Sequence, residues 1–271
     1  MTRSETAVKL VRFQKPELSL PYLNGVDEAH IAGLFGLGTE EYHSLCDDMA
    51  ARARTAAADL LIDPDIADQV DRIPFATGAR IVALGESSTA DRLSWFEILR
   101  YLLELRRPGD HIALINLAVA GSTTSQTLKS IGALRFQRPD WVLCQLGAND
   151  AQRFGALGSR VISATETARN IAMIRDQAPG TPWVWLTPTE VDEALVAEFP
   201  PFRAQGISWR STDQAETSEL LRAQPDPVVD VLAVTRERAG MRIFEQDGVH
   251  LTPTGQVEVA RAVVAGLAAL G

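Results

Sequence analysis

Cysteines and long apolar stretches are both scarce in this chain of 271 residues. Its two cysteines, Cys46 and Cys144, are too few for a disulfide framework, so we expect free thiols and a reducing compartment. No window approaches the roughly 20 consecutive apolar residues that a membrane-spanning helix needs. The first 20 residues carry scattered charges without the apolar core of a signal peptide, so we expect no export signal and a cytoplasmic protein.

Basic residues are also in short supply. The chain has 26 lysines and arginines against 35 aspartates and glutamates, which gives a formal net charge of -9. Because no local cluster of basic side chains offsets this charge, the surface should repel phosphate backbones, and we expect no nucleic-acid partner. His43 and Cys46 are spaced for one helical face, but two ligands do not make a zinc site, so we expect no bound metal.

From residue 80 onward the chain alternates short apolar runs with longer segments of helical periodicity. This alternation is typical of strand, helix, strand units around a parallel sheet. The runs are apolar on both faces, as strands covered by helices on both sides must be. We therefore predict a three-layer α/β/α domain with strands at 80–85, 111–119, 140–147, 182–188 and 228–234.

The first 77 residues differ, because they are rich in alanine and acidic side chains and contain no strand-like run. They predict a helical extension in which Thr39 caps a long helix and Asp63 caps the next one. We therefore divide the chain into residues 1–77 and 78–271. The segment 190–222 is predicted to be an elaborated loop with some helix, and we expect it to shape a substrate pocket together with the N-terminal helices.

Polar or small residues follow four of the predicted strands. Ser87 follows the first strand, Gly121 the second and Asn149 the third, while Asp247 and His250 come after the fifth. In an open parallel sheet, ligands bind beyond the carboxyl ends of the strands, next to the point where strand order reverses. We therefore expect these five residues to converge on one cleft.

Three of the five residues have the chemistry of a serine hydrolase. Ser87 is the candidate nucleophile, His250 the base that takes its proton, and Asp247 the acid that orients the base. Asp247 and His250 are three positions apart, so a tight loop can bring both side chains to the same side. Glu245 and Asp150 are alternative acids for the same role.

Ester hydrolysis also needs donors for the negative charge that develops on the carbonyl oxygen. The backbone N–H groups of Ser87 and Gly121 and the side-chain amide of Asn149 are the candidates for this oxyanion hole. Losing one such donor typically lowers the rate roughly 100- to 1000-fold. Taken alone, Asn149 could simply end a strand, and Gly121 could be needed only for a positive φ angle.

Four segments, "ALGESST", "NLAVAGSTT", "LCQLGAND" and "DGVHLTPTGQ", resemble the SGNH hydrolases, also called the GDSL esterase/lipase family, and occur in that family's order. The resemblance covers about residues 78 to 271. It implies a flavodoxin-like five-stranded parallel sheet, a serine esterase acting on a small-molecule ester through an acyl-serine intermediate, and no cofactor. The sequence departs from the family at Glu86, where the family usually has Asp, and the longer side chain could shift the turn that carries Ser87.

Two alternatives to an esterase remain open at this level. An acyltransferase would use the same residues with an alcohol in place of water. A non-catalytic binding or scaffold module is favoured only by Glu86, and the Asp247 and His250 pair argues against it. The N-terminal helices are a candidate surface for self-association.

Overall fold

The computed structural model of the protein describes residues 3–19 and 25–271. Fifteen α-helices and eight β-strands lie within these two ranges. The helices are α1 (Arg3–Phe13), α2 (Pro16–Ser19), α3 (Glu28–Leu34), α4 (Thr39–Leu60), α5 (Pro64–Arg72), α6 (Ser87–Ala90), α7 (Trp95–Arg106), α8 (Thr124–Ser130), α9 (Gly132–Gln137), α10 (Ala164–Arg175), α11 (Glu193–Glu198), α12 (Pro200–Gln205), α13 (Ser211–Arg222), α14 (Val231–Glu237) and α15 (Pro253–Ala268). The strands are β1 (Arg80–Gly85), β2 (Ala113–Asn116), β3 (Trp141–Gln145), β4 (Arg153–Phe154), β5 (Ser159–Arg160), β6 (Trp183–Leu186), β7 (Ile207–Ser208) and β8 (Val228–Val229).

The main sheet has five parallel strands in the order β2-β1-β3-β6-β8. This order confirms the predicted flavodoxin-like, three-layer α/β/α architecture. The chain leaves β1 to one side to form β2 and then crosses to the other side to form β3, so the order reverses between β1 and β3. Ligand sites of such sheets lie at this reversal, beyond the carboxyl ends of the strands.

The side chains of β1 divide the hydrophobic core in two, because successive residues of a strand point to opposite faces. Ile81 and Ala83 pack with α4, α5, α7 and α15 on one face of the sheet. Val82 and Leu84 pack with α9, α10 and α13 on the other. The N-terminal helices α4 and α5 therefore share a core with the sheet, and the division of the chain at residues 77 and 78 stays a prediction.

Helix α1 is held on the rest of the protein by Arg12. The guanidinium donates two hydrogen bonds to the fully buried carboxylate of Asp91, at 2.9 and 2.7 Å. It also donates to Glu245 at 2.6 Å and to the backbone carbonyl of Leu251 at 2.9 Å. A planar guanidinium matches a carboxylate with two parallel bonds, so this contact fixes both the position and the orientation of α1.

Several sequence predictions are wrong at their ends. The predicted strands 111–119, 140–147 and 182–188 are longer than β2, β3 and β6. The fifth strand stops at Val229, because the side chain of Asp230 accepts the N–H of Ala233 and caps α14 within the predicted strand 228–234. The long helix α4 begins at Thr39, but its N-cap is Gly38 and no side chain caps it. The Asp63 cap is confirmed, with its carboxylate accepting the N–H of Asp65 at 3.0 Å.

The segment 190–222 is more ordered than the predicted loop. It contains α11, α12, β7 and α13. Asp192 caps α11 by accepting two backbone N–H groups, and Pro200 occupies the first turn of α12, where its missing N–H costs nothing. Strand β7 joins β4 and β5 in a small antiparallel sheet whose two-residue strands are too short to produce a period in the sequence.

No helix within residues 3–19 and 25–271 is both long and apolar enough to cross a membrane.

We predict that Arg12→Met lowers the free energy of unfolding by about 3 kcal/mol, because it leaves the Asp91 carboxylate buried without its cation. The double variant Arg12→Met/Asp91→Asn should recover part of this loss, since the uncompensated charge is then gone. The matched control is Arg52→Met, which removes an arginine from an exposed pair with Asp48 and should cost less than about 0.5 kcal/mol. Urea denaturation measures all three; equal losses for the Arg12 and Arg52 variants would contradict the anchoring role of Arg12.

Candidate active site

Ser87 lies where strand β1 ends, next to the central strand β3. The short helix α6 begins at Ser87 and turns back so closely onto the strand that a Cβ atom on Gly85 would lie 2.6 Å from the side chain of Thr89. Glycine is therefore needed at this position for the turn to form. The consequence is that Ser87 is carried to the carboxyl end of the sheet, where it lines a pocket.

Glu86 joins the loop after β1 to the loop after β3. Its buried carboxylate accepts the backbone N–H of Gly147 on one oxygen and that of Asn149, at 2.9 Å, on the other. Burial and, second, the charge of the neighbouring Asp150 together raise the pKa of Glu86 to about 8, against the lowering effect of the backbone N–H groups. The residue that departs from the family pattern thus ties the candidate nucleophile to the candidate oxyanion residue.

The loops after β2 and β3 meet at Gly121 and Asn149. Gly121 has a φ of +79°, and a Cβ there would meet no atom within 4 Å, so its backbone conformation rather than space favours glycine. The side-chain amide of Asn149 donates to the carbonyl of Ser122 at 3.1 Å. A carbonyl only accepts, which fixes the orientation of the amide and leaves its second N–H for a ligand.

Asp150, one of the alternative acids, serves a different purpose. Its carboxylate is buried and accepts the backbone N–H of Thr124 at 2.8 Å and the hydroxyl groups of Thr124 and Thr167 at 2.5 and 2.7 Å. It therefore holds the loop after β3 against α8 and α10. Glu245, the other alternative, is paired with Arg12.

Asp247 is the acid bonded to His250. Its Oδ2 lies 2.9 Å from Nδ1 of the imidazole, and its Oδ1 accepts the backbone N–H groups of Val249 and His250 at 3.1 and 2.9 Å. Gly248 makes this loop possible with a φ of +71°. Burial alone would raise the pKa of Asp247, but the hydrogen bonds and charge of His250, with the charge of Lys9, hold it well below its usual range.

The imidazole of His250 is placed between the acid and the pocket. Because Asp247 engages Nδ1, the other ring nitrogen, Nε2, is the one that can take a proton. Ser87 and His250 line the same pocket, although no hydrogen bond joins them in the described part of the chain. Such bonds are often long without substrate and tighten when it binds.

The pocket has a volume of about 320 Å³ and also contains Gly121 and Asn149. The five predicted site residues therefore lie together: four line the pocket, and Asp247 is bonded to one of these four. The walls come from both segments that the sequence suggested. Leu10 and Phe13 come from α1, and Phe202 and Trp209 come from the segment 190–222.

Sequence reasoning missed two residues of α1 that contact the Asp247 and His250 pair. Lys9 Nζ lies 3.0 Å from Asp247 Oδ2, and the ring of Phe13 lies 4.7 Å from the ring of His250, centroid to centroid. The spacing of Lys9 and Phe13 by four residues places them on one helix face. That spacing is the only signal in the sequence, and it does not say against what the face packs.

Residues 82–257 match the family model described as the GDSL-like lipase/acylhydrolase family. The chain belongs to this family. Members of such a family are ester hydrolases, and the chain is accordingly a carboxylic ester hydrolase. No curated protein matches the chain.

Solved structures with a similar fold include LAE5, an alpha/beta hydrolase enzyme from the metagenome of Lake Arreo, Spain, with 18% identity and a TM-score of 0.58, covering 73% of this chain and 99% of that one. A catalytic mutant of Axe2, an acetylxylan esterase from Geobacillus stearothermophilus, has 16% identity and a TM-score of 0.57, covering 71% and 95%. The lipase/acylhydrolase from Enterococcus faecalis has 22% identity and a TM-score of 0.56, covering 71% and 96%. At these identities the likeness establishes the fold.

We predict that Gly248→Ala lowers kcat/KM for a small ester by about 100-fold, as expected when catalytic groups are misplaced by about 1 Å. An alanine Cβ there would lie 2.5 Å from the carbonyl oxygen of Asp192, so the loop must move. The matched control is Gly180→Ala, which has a φ of +79° but no atom within 4 Å of the new Cβ; it should lose only about 1–2 kcal/mol of stability. Wild-type activity in Gly248→Ala would contradict the prediction.

The raised pKa of Glu86 predicts how the stability of the protein depends on pH. A carboxyl group whose pKa rises on folding binds a proton more tightly in the folded state, so it makes the protein less stable as the pH rises from about 4.5 to about 8. The slope from one such group is at most about 1.4 kcal/mol per pH unit. Urea denaturation at pH 5, 6.5 and 8 should therefore show a flatter pH dependence for Glu86→Gln than for the wild type.

The matched control for this measurement is Glu198→Gln, which removes an exposed carboxylate from α11 and should leave the slope unchanged. The pKa of Asp247, which is lowered, affects stability only below about pH 4 and so lies outside this window. Parallel curves for Glu86→Gln and the wild type would show that the buried carboxyl group is not the source of the slope.

Proposed function

We propose that the protein is a serine esterase that hydrolyses small carboxylic esters through an acyl-serine intermediate. One observation carries this proposal. Four residues line one pocket, namely Ser87, Gly121, Asn149 and His250. Asp247 is bonded to Nδ1 of His250, which leaves Nε2 to act as the base. This combination supplies a nucleophile, a base, an orienting acid and oxyanion donors.

In the first half of the reaction, Nε2 of His250 takes the proton of the Ser87 hydroxyl as its oxygen attacks the ester carbonyl carbon. The resulting oxyanion accepts hydrogen bonds from the backbone N–H groups of Ser87 and Gly121 and from the amide of Asn149. The carbon–oxygen bond to the alcohol then breaks, and the imidazolium of His250 gives its proton to the departing alcohol.

In the second half, water takes the place of the alcohol. His250 removes a proton from the water as it attacks the acyl carbonyl, and the same oxyanion donors act again. The bond between the acyl carbon and the Ser87 oxygen then breaks, the imidazolium of His250 gives its proton to that oxygen, and the carboxylic acid is released. Asp247 keeps the proton of the neutral imidazole on Nδ1 and stabilises the cation that forms in each half.

The pocket indicates the size of the substrate. Its volume of about 320 Å³ lies at the small end of the range of about 300–1,000 Å³ that ligand pockets span. Phe13, Leu10 and Trp209 line it, and the Trp209 indole is fixed by a 3.0 Å hydrogen bond from Nε1 to the carbonyl of Ala148. We therefore propose short acyl chains, in keeping with the acetyl ester named for the similar structure Axe2.

We also propose a cytoplasmic location, because Cys46 and Cys144 are free thiols, as in proteins of reducing compartments.

The test is a series of p-nitrophenyl esters from acetyl to palmitoyl, assayed with the wild type and two serine variants. Ser87→Ala should lower kcat at least about 1000-fold with every ester, because it removes the nucleophile. Ser88→Ala is the matched control: the neighbouring hydroxyl donates to the buried Gln145 at 2.9 Å, and its loss should change kcat less than about 10-fold. Activity of the wild type should be highest from acetyl to butyryl.

Two results would contradict the proposal. Hydrolysis by Ser87→Ala at the wild-type rate would exclude Ser87 as the nucleophile, and so would equal labelling of both proteins by a fluorophosphonate. Acyl transfer to an added alcohol in preference to water would leave the acyl-serine step in place and make the protein an acyltransferase.

A further inference from the structure

Building on the proposed function, we propose that Lys9 of α1 is a positioning residue for the Asp247 and His250 pair. Its ammonium group fixes the Asp247 carboxylate and disfavours the cationic form of His250. Lys9 thereby extends the pH range over which the imidazole is neutral and can act as a base.

The Asp247 carboxylate has a hydrogen-bond donor at each of its acceptor sites. A carboxylate has about four acceptor sites, and Asp247 uses them on four donors: Oδ1 accepts the N–H groups of Val249 and His250, and Oδ2 accepts from His250 Nδ1 and Lys9 Nζ. Three of these donors belong to the loop that carries Asp247 itself. Lys9 is the donor that comes from a different part of the chain, so it ties the loop to α1.

The ammonium group of Lys9 is also close enough to the imidazole of His250 to act on its charge. Lys9 Nζ and His250 Nδ1 lie 3.0 and 2.9 Å from the same oxygen atom. A cation close to an imidazole disfavours its protonation, and it also neutralises part of the carboxylate charge that favours protonation. Both effects act in the same direction, so removing the ammonium group should favour the imidazolium form in the variant.

The other charged groups around the pair are the same in the wild type and in a variant that lacks only Lys9, so a comparison of the two isolates the charge of Lys9. Arg12, on the next turn of α1, is matched by Asp91 and Glu245 at 2.7 and 2.6 Å. Glu5 of α1 lines the second cavity together with Lys9 and Asp247. From α11, the backbone N–H of Asp192 donates to the carbonyl of Gly248, while the Asp192 carboxylate accepts the backbone N–H groups of Ala194 and Leu195. The ring of Phe199, which follows α11, is uncharged.

Helix α1 contributes to the walls of two cavities. Lys9 and Phe13 line the substrate pocket on one side and a second cavity of about 370 Å³ on the other. Asp247 also lines the second cavity, and its carboxylate is buried while the Lys9 side chain that contacts it is partly exposed. The ring of Phe199, 5.4 Å from Nζ, helps to hold the ammonium group in place.

The experiment is the pH profile of kcat/KM for Lys9→Met, with the wild type, Lys9→Arg and Lys129→Met. The lower limb of this profile reports the pKa of the base in the free enzyme. For Lys9→Met we expect it to move up by about 0.5–1 pH unit, a modest shift because the lysine is 40% exposed and partly screened by water. Lys9→Arg keeps the charge and should restore the wild-type limb.

Lys129→Met is the matched control, since it removes the same charge from an exposed position on α8 and should leave the limb unchanged. Added salt gives a second readout. Raising the ionic strength to about 1 M shortens the screening length to about 3 Å, so the wild-type limb should move towards that of Lys9→Met. Thermal melting checks that each variant is folded.

An unchanged lower limb in a folded Lys9→Met, in an enzyme that hydrolyses esters through Ser87, would overturn this inference and leave the proposed function intact. A fall in kcat without a shift of the limb would also overturn it, because it would make Lys9 only a structural contact. A wild type that neither hydrolyses esters nor reacts with a fluorophosphonate would instead overturn the proposed function.

Discussion

The contact between the Glu86 carboxylate and the backbone of residues 147–149 holds together the two loops on which the candidate site depends. A buried carboxylate is costly unless it is hydrogen-bonded, and here backbone N–H groups rather than a cation supply the bonds. These N–H groups also belong to the loop that presents Asn149. One interaction therefore satisfies a buried polar group and sets the spacing between Ser87 and Asn149, across the point where strand order reverses.

The same interaction changes the interpretation of the departure from the family pattern. An extra methylene at position 86 could have displaced the turn, and this was the one feature that favoured a non-catalytic module. Instead, the longer side chain reaches the neighbouring loop, while Ser87 still lines the pocket. The second half of the site depends on a different carboxylate, that of Asp247, which is bonded within its own loop and to α1.

Much of the sheet could be predicted from the sequence, because buried parallel strands are continuous apolar runs and their ends are marked by small and polar residues. The predicted strand 80–85 agrees with β1 to the residue. The predicted fifth strand is too long, because the apolar run 228–234 is compatible with a strand or a helix. The Asp230 cap decides in favour of a helix after Val229. For the segment 190–222 the sequence predicts a loop with some helix, but not the bounds of its helices, because the short ones are held by caps and tertiary contacts and not by a long period.

The site could be predicted where it follows strand ends, and it could not where it depends on packing. Ser87, Gly121 and Asn149 were found from their positions after strands. Lys9 and Phe13 were not, because the sequence of α1 does not show which surface the helix covers. The surface that α1 covers is set by the contact of Arg12 with the buried carboxylate of Asp91, which is 79 positions away in the sequence.

The most direct test of the acyl-serine mechanism is the mass of the enzyme during turnover. The wild type is mixed with p-nitrophenyl acetate, quenched with acid within milliseconds, and digested for peptide mapping. The proposed mechanism predicts one added acetyl group on the peptide that contains Ser87, and none on that peptide in Asp247→Asn at the same time point. Product formation with no acylated peptide, or with the acetyl group on another residue, would contradict it.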